Sequence, residues 1–481
     1  MTNMERDVAE AYRTSLLLRA NLPSWEELVE LCRTHAVESG VRSLTHMDRQ
    51  LQLIDSRSRV AMRATTADLQ ELLRGFRNED AELAALIESP LAHDYRVGGD
   101  RRPNATIHWK ANREVSIRIE VGLRLALDDS LLSACSALGF ATNLNDEAGQ
   151  YGQAVLTVGD EDGHRYRDYR LPWYTKLTRR RSHYLQHIPL CISRISSAEL
   201  LSDLALRWAT LHEQAHWLCG HLDYLLDCRR SASLMLDELR AAPVSSETPE
   251  QAEIVDRCLE MHADSVATQF LFFLGLADDW LQTPSAQRFI SRMARFDDSM
   301  AARCLDPKDR MARFRILLLG AGAACLVFEK RRQHTRAAAR THPRPATRLI
   351  NIVVTAVSTY GDLAHYWSNA PVNSDTYLTE LLAPALREAY VALNELMLFA
   401  SLIGVENTDY SYAVRGERID LSQLAPLADE VFRFATGDRS PRTAAGREYQ
   451  ELYQSSNEVW HALARWSRLG RWGEDDANDS G

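Results

Sequence analysis

Across residues 197–227 the apolar positions Leu204, Trp208, Leu211, Ala215, Leu218, Leu222 and Leu225 recur every three or four residues, which predicts one continuous amphipathic helix. Ser196 followed by Glu199 reads as its capping box, and no proline interrupts the run before Pro243. A second helix is predicted from Pro249 to about Leu276. Thr248 supplies an N-cap, Pro249 a first-turn proline and Gln251 a capping-box partner, and the run from Phe270 to Leu274 predicts burial. Helical periodicity returns in Arg310–Arg331, Pro345–Tyr360, Asp375–Leu402 and Thr443–Leu469, divided by joints such as Asn369-Ala370-Pro371 and Gly437-Asp438.

The N-terminal part differs from the stretch that follows it. Residues 1–95 read as a helical accessory region, with a capping box at Ser24 and Glu27, a helical pattern from Thr66 to Leu86, and a Gly98-Gly99 break after it. Between 104 and 171 the period shortens to two: Val115, Ile117, Ile119 and Val121 alternate as a strand. Ala154–Val158, the turn Asp160-Glu161-Asp162-Gly163 and a run through Leu171 read as a hairpin. The expectation is an α+β, mostly helical chain in three regions, 1–95, 104–365 and 372–470.

The candidate chemistry lies on the first of these helices. His212-Glu213-Gln214-Ala215-His216 is an HExxH motif, and two imidazoles four residues apart fall on one helix face, where both can reach a single ion of the kind nitrogen ligands favour, zinc. Glu213 between them is placed as general base, taking a proton from water that the ion has made acidic. Such a site needs a third protein donor. His221 is badly placed on an unbroken helix, which turns about 100° per residue, and becomes a donor only if the helix breaks at Gly220. The HExxHxxGxxH pattern fails, because Cys219 and Leu222 stand where it needs glycine and histidine. The next helix offers Glu260-Met261-His262-Ala263-Asp264. Glu260 and Asp264 share one face, so Glu260 can complete a His-His-Glu set while Asp264 accepts the free ring N–H of a ligand histidine.

HEQAH followed by EMHAD resembles the gluzincin pattern of HExxH plus ExxAD, as in the prenyl-protein endopeptidases and soluble relatives of the Lit phage-exclusion type. The likeness is local, covering mainly residues 200–276. His216 to His221, reading HWLCGH, is similar to an HxxxGH extension in soluble members, and Thr341-His342-Pro343 with Arg348 is similar to a THPxxxxR segment. The resemblance implies a zincin-like core, a short sheet with the HExxH and ExxAD helices, flanked by helical regions. It implies zinc on His212, His216 and Glu260, Glu213 as base and Asp264 in support. It leaves His342 with two readings, oxyanion stabilisation or the start of a helix. The implied activity is a zinc metalloendopeptidase cleaving a cellular protein, in a conditional role such as antiviral defence against phage. The competing reading is a catalytically inactive regulatory or scaffold protein that keeps the fold. A small sheet whose edge pairs with extended substrate is also implied, with the 153–171 hairpin as its candidate.

Composition changes this picture little. The chain has 481 residues, 45% hydrophobic and 25% charged, which is ordinary globular material with room for two or three domains. Its net charge of −10 argues against a general nucleic-acid binder, with Lys176, Arg179, Arg180 and Arg181 beside Trp173 and Tyr174 as a local exception. The runs Phe270–Ala277 and Ile316–Phe328 fall short of the roughly 20 residues of a membrane span, and the charged N-terminus does not read as a secretory signal. The expected location is the cytoplasm, away from membranes. Eight scattered cysteines without a CxxC pair predict reduced, buried thiols. The helical flanks are expected to serve a regulatory partner, substrate docking or homo-oligomerisation. The acidic tail 473–481 is expected to be disordered.

Overall fold

The computed structural model describes residues 58, 61–73, 94–98, 104–109, 115–135, 140–141, 153–158, 184–189, 192–229, 249–276, 310–332, 342–368, 382–403, 425–463, 467 and 469. Among the described residues the chain is mostly helical, with two small sheets. A helix over 61–73 (α1) precedes strands β1 (Asp94–Gly98), β2 (Ala105–Trp109) and β3 (Val115–Glu120), and then helix α2 (Val121–Cys135). Strands β4 (Gln153–Val158) and β5 (Tyr184–Pro189) lead to helices α3 (Ile192–Leu218), α4 (His221–Arg229) and α5 (Pro249–Leu276). Then follow α6 (Arg310–Arg332), α7 (Pro345–Ser368), α8 (Ala383–Ile403), α9 (Ala425–Ala435) and α10 (Ala444–Leu463).

The first sheet has the order β1-β3-β2, with β1 parallel and β2 antiparallel to the central β3. Ala105 pairs with Ile119 and Ile107 with Ile117, so the alternating apolar residues of both strands bury one face together with Val115. The second sheet is the antiparallel pair β4–β5, registered from Gln153 opposite Pro189 to Val158 opposite Tyr184. The partner of β4 is therefore 184–189. The expected run through Leu171 lies outside the described residues, as do Ser24 with Glu27, the basic stretch at 176–181, residues 375–381 and the tail 473–481.

Helix α3 packs against α2, α5 and α6, and one hydrophobic cluster runs from Met62 on α1 to Leu463 on α10. The contact between α3 and α6 is close because Gly320 lacks a side chain: a Cβ there would lie 2.7 Å from the Cβ of Leu204. Charged groups are buried in pairs, as where Arg315 of α6 binds Glu395 of α8. Helix α6 holds a 19-residue stretch, Arg310–Phe328, long and apolar enough to cross a bilayer by length and composition, and 89% of it is buried inside the protein. The run is longer than Ile316–Phe328 because Met311, Ala312 and Phe314 extend it toward the N-terminus past two buried arginines, Arg313 and Arg315.

The helix expected over 197–227 is two helices. It begins at Ile192, which puts Ser196 inside the first turns instead of at the cap, and it ends at Leu218. Gly220 then adopts φ of 74°, a left-handed conformation that glycine takes without a Cβ clash, and its carbonyl accepts from the Tyr224 amide to start α4. Helix α5 spans Pro249–Leu276 as the caps predict. The spacing of apolar residues does not announce helices α2 and α9 or strands β1 and β2.

Two glycine replacements test these positions separately. Gly220→Ala is expected to cost about 1–2 kcal/mol through backbone strain alone. Gly320→Val is expected to cost about 3 kcal/mol by forcing α6 off α3. Urea unfolding of both variants, followed by circular dichroism, measures the two losses.

Candidate functional site

Helices α3 and α5 lie side by side, and the imidazoles of α3 meet the carboxylates of α5 in the protein interior. Trp208, one turn before His212, fixes the pair: its indole N–H donates to Thr268 Oγ1 at 3.0 Å, and the same hydroxyl donates to the Asp264 carbonyl at 2.7 Å. From the other side of α3, Gln214 donates to Thr66 Oγ1 of α1 at 2.8 Å. The polar residue inside HEQAH thus anchors the motif to an N-terminal helix.

The three expected donors converge. His212 Nε2 and His216 Nε2 are 3.2 Å apart, Glu260 Oε2 is 3.5 Å from the first and Glu260 Oε1 is 3.4 Å from the second. Donors held about 2.1 Å from a tetrahedral ion must themselves stand about 3.4 Å apart, so these side chains fit a zinc ion without rearrangement. All three are buried, with Glu260 only 2% exposed. Glu213 follows His212 on α3 and is also buried.

Behind the donors runs a chain of charge. His212 Nδ1 lies 3.0 Å from Asp264 Oδ1, on the side of the ring away from Glu260. Asp264, fully buried, accepts two hydrogen bonds from Arg348 of α7, from Nε to Oδ2 at 2.7 Å and from a terminal nitrogen to Oδ1 at 2.6 Å. Burial pushes the Asp264 carboxyl up, but the charge and hydrogen bonds of Arg348, with those of His212, hold it below the usual carboxylate range. Burial lowers the His212 pKa, yet hydrogen bonds to Asp264 and Glu260 and the charges of both outweigh it, raising it from 6.5 to about 9. Asn351, one turn after Arg348, donates to the Met261 carbonyl at 2.9 Å and so holds α7 against α5.

His342 stands just before α7 with its Nε2 3.4 Å from Glu260 Oε2, so the segment that begins this helix also reaches the site. His221 does not join the donor set. The break at Gly220 turns it back toward α3, and its Nδ1 lies 2.9 Å from Nδ1 of His216. Its Nε2 in turn lies 3.0 Å from Nδ1 of His262 on α5. Burial, reinforced by His216, pushes the His262 pKa down to about 4. Cys219, His221 and His262 form a second group of ligand-type side chains. Cys135, Cys219, Cys258 and Cys325 are buried thiols.

Sequence reasoning placed His212, His216, Glu260 and Asp264 together but gave Arg348 no role beyond a family likeness, because nothing local in the chain points across 84 residues to Asp264. The signal that could have found the His216–His221 contact was the glycine between them.

Two measurements probe this electrostatics. Arg348→Ala leaves the buried Asp264 charge without its fork and is expected to cost about 3–5 kcal/mol in denaturant unfolding of the metal-free protein, with Arg348→Lys recovering only part. In that protein His212 has a folded pKa above its unfolded value. Its stabilising contribution is therefore complete below pH about 6.5 and is lost as pH rises through about 9. Urea unfolding of the metal-free protein at pH values from about 6 to about 10 reads that loss. No protein-family model, curated protein or solved structure matches this chain.

Proposed function

We propose that the chain is a zinc-dependent metalloendopeptidase of the gluzincin type, built on a zincin-like core of short sheet, HExxH helix α3 and ExxAD helix α5. The observation that carries this reading is the convergence of His212, His216 and Glu260 from two helices, with Asp264 on the far nitrogen of His212. A bound zinc ion supplies a Lewis acid for the scissile carbonyl and lowers the pKa of water to about 7.

The protein's own groups do the rest. Asp264 Oδ1, 3.0 Å from His212 Nδ1, holds the ring proton of a metal-bound His212 on that nitrogen and leaves the Nε2 lone pair directed at Glu260 and His216. Arg348 keeps Asp264 ionised, so this acceptor does not compete for protons. Glu213 takes the proton from the attacking water and returns it to the leaving amine. His342, beside Glu260 at the start of α7, is a ring donor for the oxyanion that develops on the carbonyl oxygen. The likeness to the phage-exclusion peptidases extends the reading to a cellular protein as substrate, cleaved when a trigger arrives.

Metal analysis and three substitutions test the assignment. The purified chain is expected to carry near-stoichiometric zinc. Glu213→Gln keeps that zinc and loses about 10²–10⁴-fold in kcat. Glu260→Ala loses the metal, and His342→Ala lowers kcat about 10²–10³-fold at unchanged zinc content. Substrate is found by comparing new protein N-termini in cells expressing the native chain or Glu213→Gln. A chain that purifies without zinc, or a Glu213→Gln variant of full activity, removes the peptidase reading.

A further inference from the structure

We infer that His221 and His262 are positioning residues that fix the protonation pattern and ring plane of His216, and that the Cys219–His221–His262 cluster stays metal-free while the main site is loaded. This rests on the metal reading of His212, His216 and Glu260.

The observation is a run of three imidazoles joined end to end. His216 Nδ1 faces His221 Nδ1 at 2.9 Å, and His221 Nε2 faces His262 Nδ1 at 3.0 Å. Where no ion lies between two ring nitrogens, a hydrogen-bond distance requires one proton in the contact, and each neutral ring carries one proton in all. His216 points its Nε2 at Glu260, so a metal there takes that lone pair and places the ring proton on Nδ1. His216 then donates to His221 Nδ1. His221, accepting at Nδ1, carries its own proton on Nε2 and donates it to His262 Nδ1. His262, accepting there, keeps its proton on Nε2, on a side chain that is only partly covered and packs against Trp460 with ring centroids 5.4 Å apart. One arrangement of protons satisfies the chain, and the ligand at its head sets the direction.

The same count decides the fate of the second cluster. Cys219 Sγ, His221 and His262 place ligand atoms within 4.8 Å of one another, close enough to hold an ion. Ligation through His221 Nε2 moves its proton to Nδ1, where it meets the proton on His216 Nδ1 across 2.9 Å. Two N–H groups directed at each other have no acceptor between them, so the two sites do not fill together as neutral imidazole sites. The cluster is instead the support of His216, as Asp264 and Arg348 are the support of His212. Because His262 lies two residues after Glu260, this support also ties α5 to the HExxH helix a second time.

The test uses the full-length chain with zinc and cobalt as probes. His221→Leu and His262→Leu are expected to weaken zinc binding about 10–100-fold in chelator competition, the range typical of groups that orient metal ligands. His262→Asn, whose Oδ1 still accepts from His221, is expected to restore most of that affinity. Cobalt is expected to bind once per chain with no thiolate charge-transfer band. Histidine nitrogen NMR of the zinc-loaded native chain is expected to show His216 protonated at Nδ1 and His221 at Nε2, a readout that requires no variant to fold. Leucine variants with native circular dichroism and unchanged affinity overturn the inference. So do an asparagine variant as weak as the leucine one, two metals per chain, a thiolate band, or both rings protonated at Nδ1. A native chain that binds neither metal removes the metal reading itself, and a native chain that binds normally beside unaffected variants removes only this inference.

Discussion

The fork of Arg348 on Asp264 is the interaction on which the site depends. A fully buried carboxylate is tolerable only when its lone pairs are taken and its charge is met, and Arg348 does both with two short hydrogen bonds. The ionised Asp264 then has one oxygen turned to His212, which gives that ring its orientation. Remove the guanidinium and the order of effects reverses: the acid has reason to become protonated, the imidazole loses its acceptor, and the nitrogen aimed at Glu260 is no longer held. Helix α7 thus acts on the donor set although only His342, ahead of its first turn, stands beside it.

Around this fork the packing is arranged so that α3 and α5 have little freedom to slide. The indole of Trp208 reaches Thr268, Asn351 reaches the backbone of α5, and Gly320 lets α6 lie against α3 at van der Waals distance. Each contact sits within a turn or two of a donor residue or on the opposite face of its helix. A donor set with spacings of 3.2 to 3.5 Å tolerates little displacement, and a close-packed interior supplies the stiffness to preserve it.

Much of this was legible in the sequence because the information is local. Two histidines four apart on an apolar stripe, and two acids four apart on a helix with a proline at its start, give the faces and the candidate donors without any tertiary knowledge. The limits of α5 followed from its caps, whereas the stripe through Leu222 and Leu225 concealed a break, since apolar spacing continues across Gly220 although the backbone does not. The pairing of β4 with β5 was not legible, because alternation shows that a strand exists but not which distant strand completes its hydrogen bonds. His342 and Arg348 were legible only through the THPxxxxR likeness, and the role of Arg348 not at all: an arginine and a histidine near a proline look like any helix start until the fold brings them to Asp264 and Glu260.

The separation of 84 residues between Asp264 and Arg348 has a meaning for the order in which the molecule is made. During synthesis both site helices leave the ribosome before the arginine that neutralises the acid between them, and the apolar α6 emerges in the interval. A nascent chain ending ahead of α7 therefore carries every proposed metal donor yet lacks the counter-ion that makes their burial favourable. Assembly of the candidate site in this way waits for residue 348, well after the two helices that carry its donor side chains.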